Sequence, residues 1–414
     1  MKRSFSFRQR VVLASGLGLV AATYGLVRLA YGLFLPDVQR DLGLDPGTAG
    51  WIASGASAVY CAGAVAGFLL ATRAPRALVA AATALAAGGA VGMATATGPV
   101  WFGTASVLGS AAAGIASPAL VRVVGDLVPE DRRGRAQAVV NAGTGPGLVA
   151  AGVLALVLLP DWRTAWAWSG VVAVVVGTVL LVSARPARTA RTASRRTDVG
   201  PRPVPGAHWF AAHRGPVALA AVFGAGSAVV WTYGRSVLVA AGASTVVSVS
   251  AWIAVGLGGA AVVLTARWTS PLRARTLWAV AGTPTALAVL ALGAVPRSTA
   301  LALVACAVFG WGYTAATGAL IAWTDEIDAR HAAAGTSVLF VALVLGQAVG
   351  AAAGGTLLGV VGSPATFLVG GVVTAASALA GLAVRATAGV RSAGCTPPTP
   401  RSPHAVRSRG PAGP

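Results

Sequence analysis

The sequence predicts an all-α integral membrane protein of twelve transmembrane helices, built as two six-helix pseudo-repeats with both termini cytoplasmic. Three observations predict it: the composition, the spacing of charge-free runs, and the placement of basic residues along the chain. Of 414 residues, 56% are hydrophobic and 10% are charged, where an ordinary soluble domain carries about 25% charged residues. The mean hydropathy is +0.75. A water-soluble globule and a disordered chain are both excluded by such a composition. The fitting solvent is lipid, in which a spanning helix takes about 20 apolar residues.

The runs without a charge lie at 11–27 (continuing past Arg28 to Pro36), 46–72, 77–121, 136–160, 164–184, 215–234, 236–266, 276–296, 298–324 and 332–384. Two of these ten are too long for one helix. Each holds a turn signal where a break is needed, Thr97-Gly98-Pro99 in the first and Gly362-Ser363-Pro364 in the second. Ten runs with two splits make twelve helices. The first is too long for the 7–15-residue apolar core of a signal peptide and lacks its small-residue exit.

Orientation follows from the basic residues, which concentrate on the cytoplasmic side of multi-pass proteins. With the N-terminus inside, 26 Lys and Arg fall on the inner side and four on the outer, namely Arg40, Arg163, Arg235 and Arg297. Arg28 lies within a span. The expected organisation is a short N-terminus (1–10), a first bundle (11–184), an Arg-rich linker (185–214), a second bundle (215–384) and a flexible tail (385–414). Linker and tail would lie beside anionic headgroups.

The net charge of +20 would suggest nucleic acid in a soluble protein. Here Lys2 is the sole lysine among 31 basic residues, and the arginines follow membrane topology, so no nucleic-acid partner is expected. Without an internal lysine there is no phosphate-binding G-x-x-x-x-G-K-[ST] loop and no Schiff base. His208, His213, His331 and His404 are expected in loops or the tail, and no H-E-x-x-H occurs. Cys61 and Cys306 sit in apolar runs and Cys395 in the tail, which defines neither a disulfide framework nor a metal site. No cofactor, no metal and no enzymatic activity are expected.

The two halves repeat at a spacing of 201 residues. Trp51-Ile52-Ala53 returns as Trp252-Ile253-Ala254, Gly55 as Gly256, Val107-x-Gly109 as Val308-x-Gly310, and Gly145 as Gly346. Ala30-Tyr31-Gly32 has a counterpart in Thr232-Tyr233-Gly234, one residue off that register. Parallel six-helix repeats are the plan of transporters whose site lies between the halves.

With these residues in view, the chain resembles the major facilitator superfamily over nearly its whole length. Val128-Pro129-Glu130-Asp131-Arg132-Arg133-Gly134-Arg135-Ala136 is similar to the family's loop between helices 4 and 5, and Asp161-Trp162-Arg163 to a W-R pair before helix 6. Gly25 through Arg28 and Tyr31 to Leu35-Pro36 is similar to a bacterial branch with an arginine-aromatic signature in helix 1. Other motifs depart from the family. Ala71 stands where the G-x-L-x-D-R-x-G-R-R loop has its aspartate, Ala105 or Ser106 where helix 4 has an arginine linked to proton coupling, and Asn141 for the first glycine of G-x-x-x-G-P. What the resemblance implies is a secondary or facilitative transporter working by alternating access.

Arg28 is the leading candidate for substrate contact. A charge inside a span costs about 2.5–3.5 kcal/mol on insertion scales, so a cavity, partner or ligand should compensate it. No apolar run offers a carboxylate. Tyr24 and Tyr31, at i−4 and i+3, share its helical face, a stripe suited to an anion with an apolar body; the alternative is an arginine that snorkels outward or bonds a neighbour's carbonyls. Trp231 and Tyr233, with Trp311 and Tyr313 on either side of Gly312, are further cavity candidates, against a packing or interfacial role for each. Asn141 and Gln347 are amides within spans, where hydrogen bonding between helices competes with substrate contact as the reason. Asp126 with Arg73 or Arg76 forms a candidate inner gate, as the family's latch implies, against solvated loop charges; Asp325-Glu326-x-Asp328 with Arg267, Arg273 or Arg275 is a second. Gly63-x-x-x-Gly67, Gly143-x-x-x-Gly147 and Gly346-x-x-x-Gly350-x-x-x-Gly354 are expected at the boundary between halves.

The expected partners are a small organic solute, membrane lipids and, as a further candidate, a coupling proton, for which Asp37 is the nearest acceptor; the chain is expected to be a monomer. Efflux of drugs by proton antiport is the alternative, weakened by the lack of carboxylates in the spans. A polytopic membrane enzyme is more remote, because no acid, base or metal set converges.

Overall fold

The computed structural model describes residues 5–185 and 206–384. Among them the regular structure is helical throughout. In order come α1 (Phe7–Leu42), α2 (Pro46–Leu70), α3 (Pro75–Ala94), α4 (Pro99–Leu127), α5 (Glu130–Leu158), α6 (Trp162–Ser183), α7 (Ala207–Ala240), α8 (Thr245–Thr269) and α9 (Ala274–Ala294). Next come α10 (Thr299–Asp328) and a helix over Ala332–Ala383 that divides at Gly362, φ 76°, into α11 (332–361) and α12 (363–383). Both splits expected from turn residues are present: Gly98 precedes Pro99 at the start of α4, and Gly362 makes the second break.

Local signals set the helix starts. Asp45, Asp161, Ser244 and Ser298 cap α2, α6, α8 and α10 by accepting the backbone N–H three residues on. Pro46, Pro75 and Pro99 occupy first turns, where the missing N–H is harmless. Two helices are irregular. α5 breaks at Ala142-Gly143, and α1 is π-helical from Ala21 to Leu29. Helices alternate in direction, so one face carries the start of α1 and the end of α12 (the terminal face) and the opposite is the distal face.

α1–α6 pack on one another, as do α7–α12. The most extensive contacts between the two sets are α1 with α7, α2 with α11, and α5 with α8. Valine, leucine and tryptophan dominate the exposed large side chains, Val100, Trp101, Val157, Val263, Val349 and Val360 among them. Such an apolar exterior, with backbone groups bonded within each helix, suits hydrocarbon.

Several expectations are corrected. Residues 207–214, placed in the linker, form the first two turns of α7, so His208 and His213 are helical. His213 is buried, with ring nitrogens 2.8 Å from the Trp209 carbonyl and 3.0 Å from the Thr324 hydroxyl. Arg235, expected in a loop, lies inside α7 and is buried. The small-residue stripes seal neighbours within each half instead of the boundary between halves. Gly63 and Gly67 meet Ala111 and Ile115 of α4, Gly143 and Gly147 meet Leu17 and Ala21 of α1, and Gly346 and Gly350 meet Ala221 and Ala225 of α7. The repeat has diverged as well: Trp51 is 67% exposed and its counterpart Trp252 only 3%. Cys61 and Cys306 are buried. Cys395, His404, the tail and residues 186–205 of the linker lie outside the described residues.

Candidate central binding site

A cavity of about 50 Å³ lies between the halves, near the middle of the bundle. That is room for a few waters at about 10–15 Å³ each. α1 supplies Arg28, Tyr31 and Gly32; α2 supplies Ala53, Ala56 and Ser57; α7 supplies Trp231 and Thr232; α11 supplies Gln347 and Ala351. Four of the residues singled out in the sequence, Arg28, Tyr31, Trp231 and Gln347, therefore meet at one place. Arg28 is the 22nd of 36 residues in α1, somewhat past its midpoint, and it lines the cavity instead of facing lipid.

The guanidinium is held by neutral groups. Nη2 donates to Gln347 Oε1 at 3.3 Å and to Ser57 Oγ at 3.5 Å, and the plane lies 4.5 Å over the Tyr60 ring. Nε is buried and has no hydrogen-bond partner. Among the described residues no carboxylate pairs with Arg28. A polar chain runs outward on both sides: Tyr24 hydroxyl to Tyr60 at 3.0 Å and to Ser117 at 2.9 Å, and Gln347 Nε2 to the Tyr313 hydroxyl at 2.9 Å. Tyr24 thus reaches the site through Tyr60. Facing Arg28 from the second half is an aromatic wall, with Trp231 edge-on to Trp252, Phe309 and Tyr313 at ring separations of 6.1, 5.4 and 5.1 Å. A cation on one side and an apolar wall on the other can hold a solute with one anionic end and one apolar end.

The π-helical segment places this face. It carries Tyr24 and Arg28, and π turns concentrate at functional sites. Its middle rests on α5, where a Cβ on Gly25 would collide with the Gly147 backbone.

Above the cavity the distal face is shut by two crossings. At the first, a Cβ on Gly32 of α1 would collide with the Trp231 carbonyl of α7. One turn further, Arg235 pairs with Asp37 and donates to the Leu33 carbonyl at 2.6 Å and from Nε to Ser248 Oγ at 3.2 Å. The second crossing joins α2 to α11, Gly50 against Ala351 and Gly355 against Pro46. Tyr233 belongs to this closure and not to the cavity, its hydroxyl donating to the Ala351 and Pro46 carbonyls at 3.0 and 3.2 Å. Tyr31, at the cavity edge, donates to Ala49 at 2.8 Å.

The remaining candidates lie elsewhere. Trp311 donates to Thr265 Oγ1 at 2.9 Å and does not line the cavity. Asn141 is exposed beside the break in α5, accepting from Gln137 at 3.0 Å. At the terminal face Asp126 pairs with Arg122 of its own helix at 3.1 Å, Arg76 donates to the Leu181 carbonyl at 3.4 Å, and Arg73 is exposed. The inner-gate pairing is not made in this conformation. Nor is the second one: Glu326 caps α9 through the Ala274 N–H at 2.8 Å and Asp328 bonds His331 at 2.7 Å. The W-R pair has a structural role, Trp162 and Arg163 both donating to Asp41 at 2.9 and 3.0 Å. The sequence reading missed Ser57, Tyr60 and Ser117; Tyr313, a candidate, reaches the site through Gln347.

Comparison with known proteins agrees with this architecture. The family model of the Major Facilitator Superfamily matches residues 17–342. The nucleoside transporter NupG is similar in structure at a TM-score of 0.71 and 13% identity, over 91% of this chain and 99% of that one. A peptide transporter POT in complex with alafosfalin gives 0.71 and 14%, over 91% and 93%. A bacterial homolog of the human lysosomal transporter Spinster, inward-facing and unoccupied, gives 0.66 and 16%, over 92% and 95%. No curated protein matches by sequence. The twelve-helix arrangement, the cavity between the halves and the family match over most of the sequence agree: this multi-pass membrane protein belongs to the major facilitator superfamily of small-solute transporters, which are typically not enzymes.

Proposed function

We propose that the chain moves a small organic anion with an apolar body across a bacterial plasma membrane, by rocking its halves around the cavity at Arg28. Its place is the branch with an arginine-aromatic signature in helix 1, it works as a monomer, and its terminal face is cytoplasmic. The observation that carries this reading is Arg28 itself, a buried cation held by an amide, a hydroxyl and a ring face, with Nε unbonded. An arginine at such depth needs compensation, and an anion supplies it. Trp231 and its aromatic neighbours are suited to the apolar part. Asp126, Arg73 and Arg76 stay the candidate inner gate for the state in which the terminal face closes.

The test is thermal melting of purified protein in detergent with matched anionic, neutral and cationic solutes, beside Arg28→Gln. A ligand that binds only the folded state raises the melting point by mass action. Organic anions should stabilise the wild type and not the variant, which should also lose anion transport while keeping its expression. Equal stabilisation of both proteins by neutral or cationic solutes would make Arg28 structural and favour efflux of such compounds.

A further inference from the structure

Gln347 joins the two halves at the centre of the site. It sits on α11, 6% exposed, and faces Arg28 of α1. A guanidinium can only donate, so the amide oxygen must face it, at 3.3 Å. The other end is fixed too, with Nε2 donating to the Tyr313 hydroxyl at 2.9 Å. The amide is therefore oriented at both ends, across the plane along which the halves must separate.

The bond to Arg28 is a weak one. Both hydrogen bonds of the guanidinium come from Nη2, at 3.3 and 3.5 Å, and both go to neutral oxygens. Bonds from arginine to a carboxylate run at about 2.7–2.9 Å and use two nitrogens at once. An amide oxygen has the shape of a carboxylate oxygen without its charge. We propose that Gln347 is a built-in stand-in for the carboxylate of the ligand: it occupies Arg28 in the empty transporter and is displaced when the ligand binds. The proposal rests on the organic-anion reading and deepens it in two ways. A ligand amide or ester gains little by replacing one neutral oxygen with another, so the exchange selects carboxylates. Displacement also cuts a hydrogen bond between the halves, so occupancy of the site loosens them.

The sign of one substitution separates this role from simple ligand contact. If Gln347 helps to hold the ligand, Gln347→Ala weakens binding; if it competes for Arg28, the same change tightens it. The first measurement needs no ligand. Melting in detergent at about pH 7.5, where a carboxylate is ionised, should rank Gln347→Glu above wild type and Gln347→Ala below it. The rise in Gln347→Glu should vanish in an Arg28→Gln background, because the added carboxylate acts only through Arg28. A rise that persists without Arg28, or no rise at all, overturns the proposal.

The second measurement uses benzoate as probe and benzamide as its neutral match. Benzoate should bind Gln347→Ala about tenfold more tightly than wild type, the scale of one net hydrogen bond to a charged group. Gln347→Glu should not bind it, its own carboxylate holding Arg28. Binding lost in Arg28→Gln without tightening in Gln347→Ala overturns the stand-in alone. Benzoate stabilising Arg28→Gln as well as wild type overturns the anion reading beneath it. Should benzoate bind none of the proteins, the ligand-free ranking decides.

Discussion

Asp37 of the first half and Arg235 of the second meet as a buried ion pair, 6% and 2% exposed at their side chains, and no other ion pair described joins the halves. Arg40 approaches the same carboxylate from the solvent side at 3.3 Å. Opening the distal face has to part Asp37 from Arg235. Removing Arg235 leaves the buried Asp37 with only the solvent-side Arg40, and breaking a buried pair costs up to about 3–5 kcal/mol. Arg235→Leu should therefore melt well below wild type, and a cysteine placed at Ala351, buried under this closure, should become reactive from the distal side. Replacing both residues with leucine should recover much of the loss, and a double variant no more stable than the singles would refute the pairing.

Gly32 sets how closely α1 and α7 approach. Gly32→Ala puts a methyl group against the Trp231 carbonyl, a collision that only separation of the helices relieves. The variant should insert and fold with its distal face ajar. Transport should fall by an order of magnitude or more while the Ala351→Cys reporter gains reactivity; normal transport would show that the distal face need not close this tightly.

Tyr60 supports Arg28 with its ring face and Tyr24 with its hydroxyl. Cation–π contacts contribute about 0.5–2 kcal/mol. Tyr60→Phe keeps the face and should alter anion affinity less than threefold. Tyr60→Leu removes it and should weaken affinity about threefold to thirtyfold. Equal losses in the two variants would place the effect in the hydroxyl chain to Ser117.

Asp45, in the distal loop, is held below the usual carboxylate range by the Thr48 hydroxyl and backbone N–H it accepts from. A folded-state pKa below the unfolded value of about 3.9 gives stability that is present above pH 4 and lost as pH falls through the folded value. Asp45→Asn retains an acceptor for the cap but not the charge. Its melting point should match wild type within about 2 °C at pH 7, and it should lose this part of the acid sensitivity. An unchanged slope of melting point against pH below 4 would argue against the linkage.

The helices were readable because lipid enforces a simple rule, that charge-free stretches span and basic residues stay on one side. The angle at which each helix faces its neighbours was less so. Arg28 stood out as a lone charge, and Tyr31, Trp231 and Gln347 as polar or amphipathic groups inside spans. Ser57 and Tyr60 lie three residues apart on α2, on one face, a signal as good as the one for Tyr24. A charge marks the end of an apolar run, and by that rule alone Arg235 falls in a loop and not inside α7. The repeat argued otherwise: Ala30-Tyr31-Gly32 is followed by more helix, so its counterpart Thr232-Tyr233-Gly234 should be too. Asp126 lies four residues after Arg122, the spacing of a pair within one helix. No sequence pattern announces the π-helical segment, whose Gly25 meets Gly147 of α5.

That segment gives the first helix a joint. π turns interrupt the regular i→i−4 ladder and are one of the few places where long helices kink, and residues 21–29 separate two α-helical stretches. α1 is therefore better pictured as two rods with an articulation between them than as one lever. Gly143 of α5 packs on the lower rod and Gly147 on the start of the joint, while the upper rod bears Asp37 of the distal closure. Arg28 rides in the articulation itself, so a ligand held there, as proposed above, would sit at the joint and not on either rod.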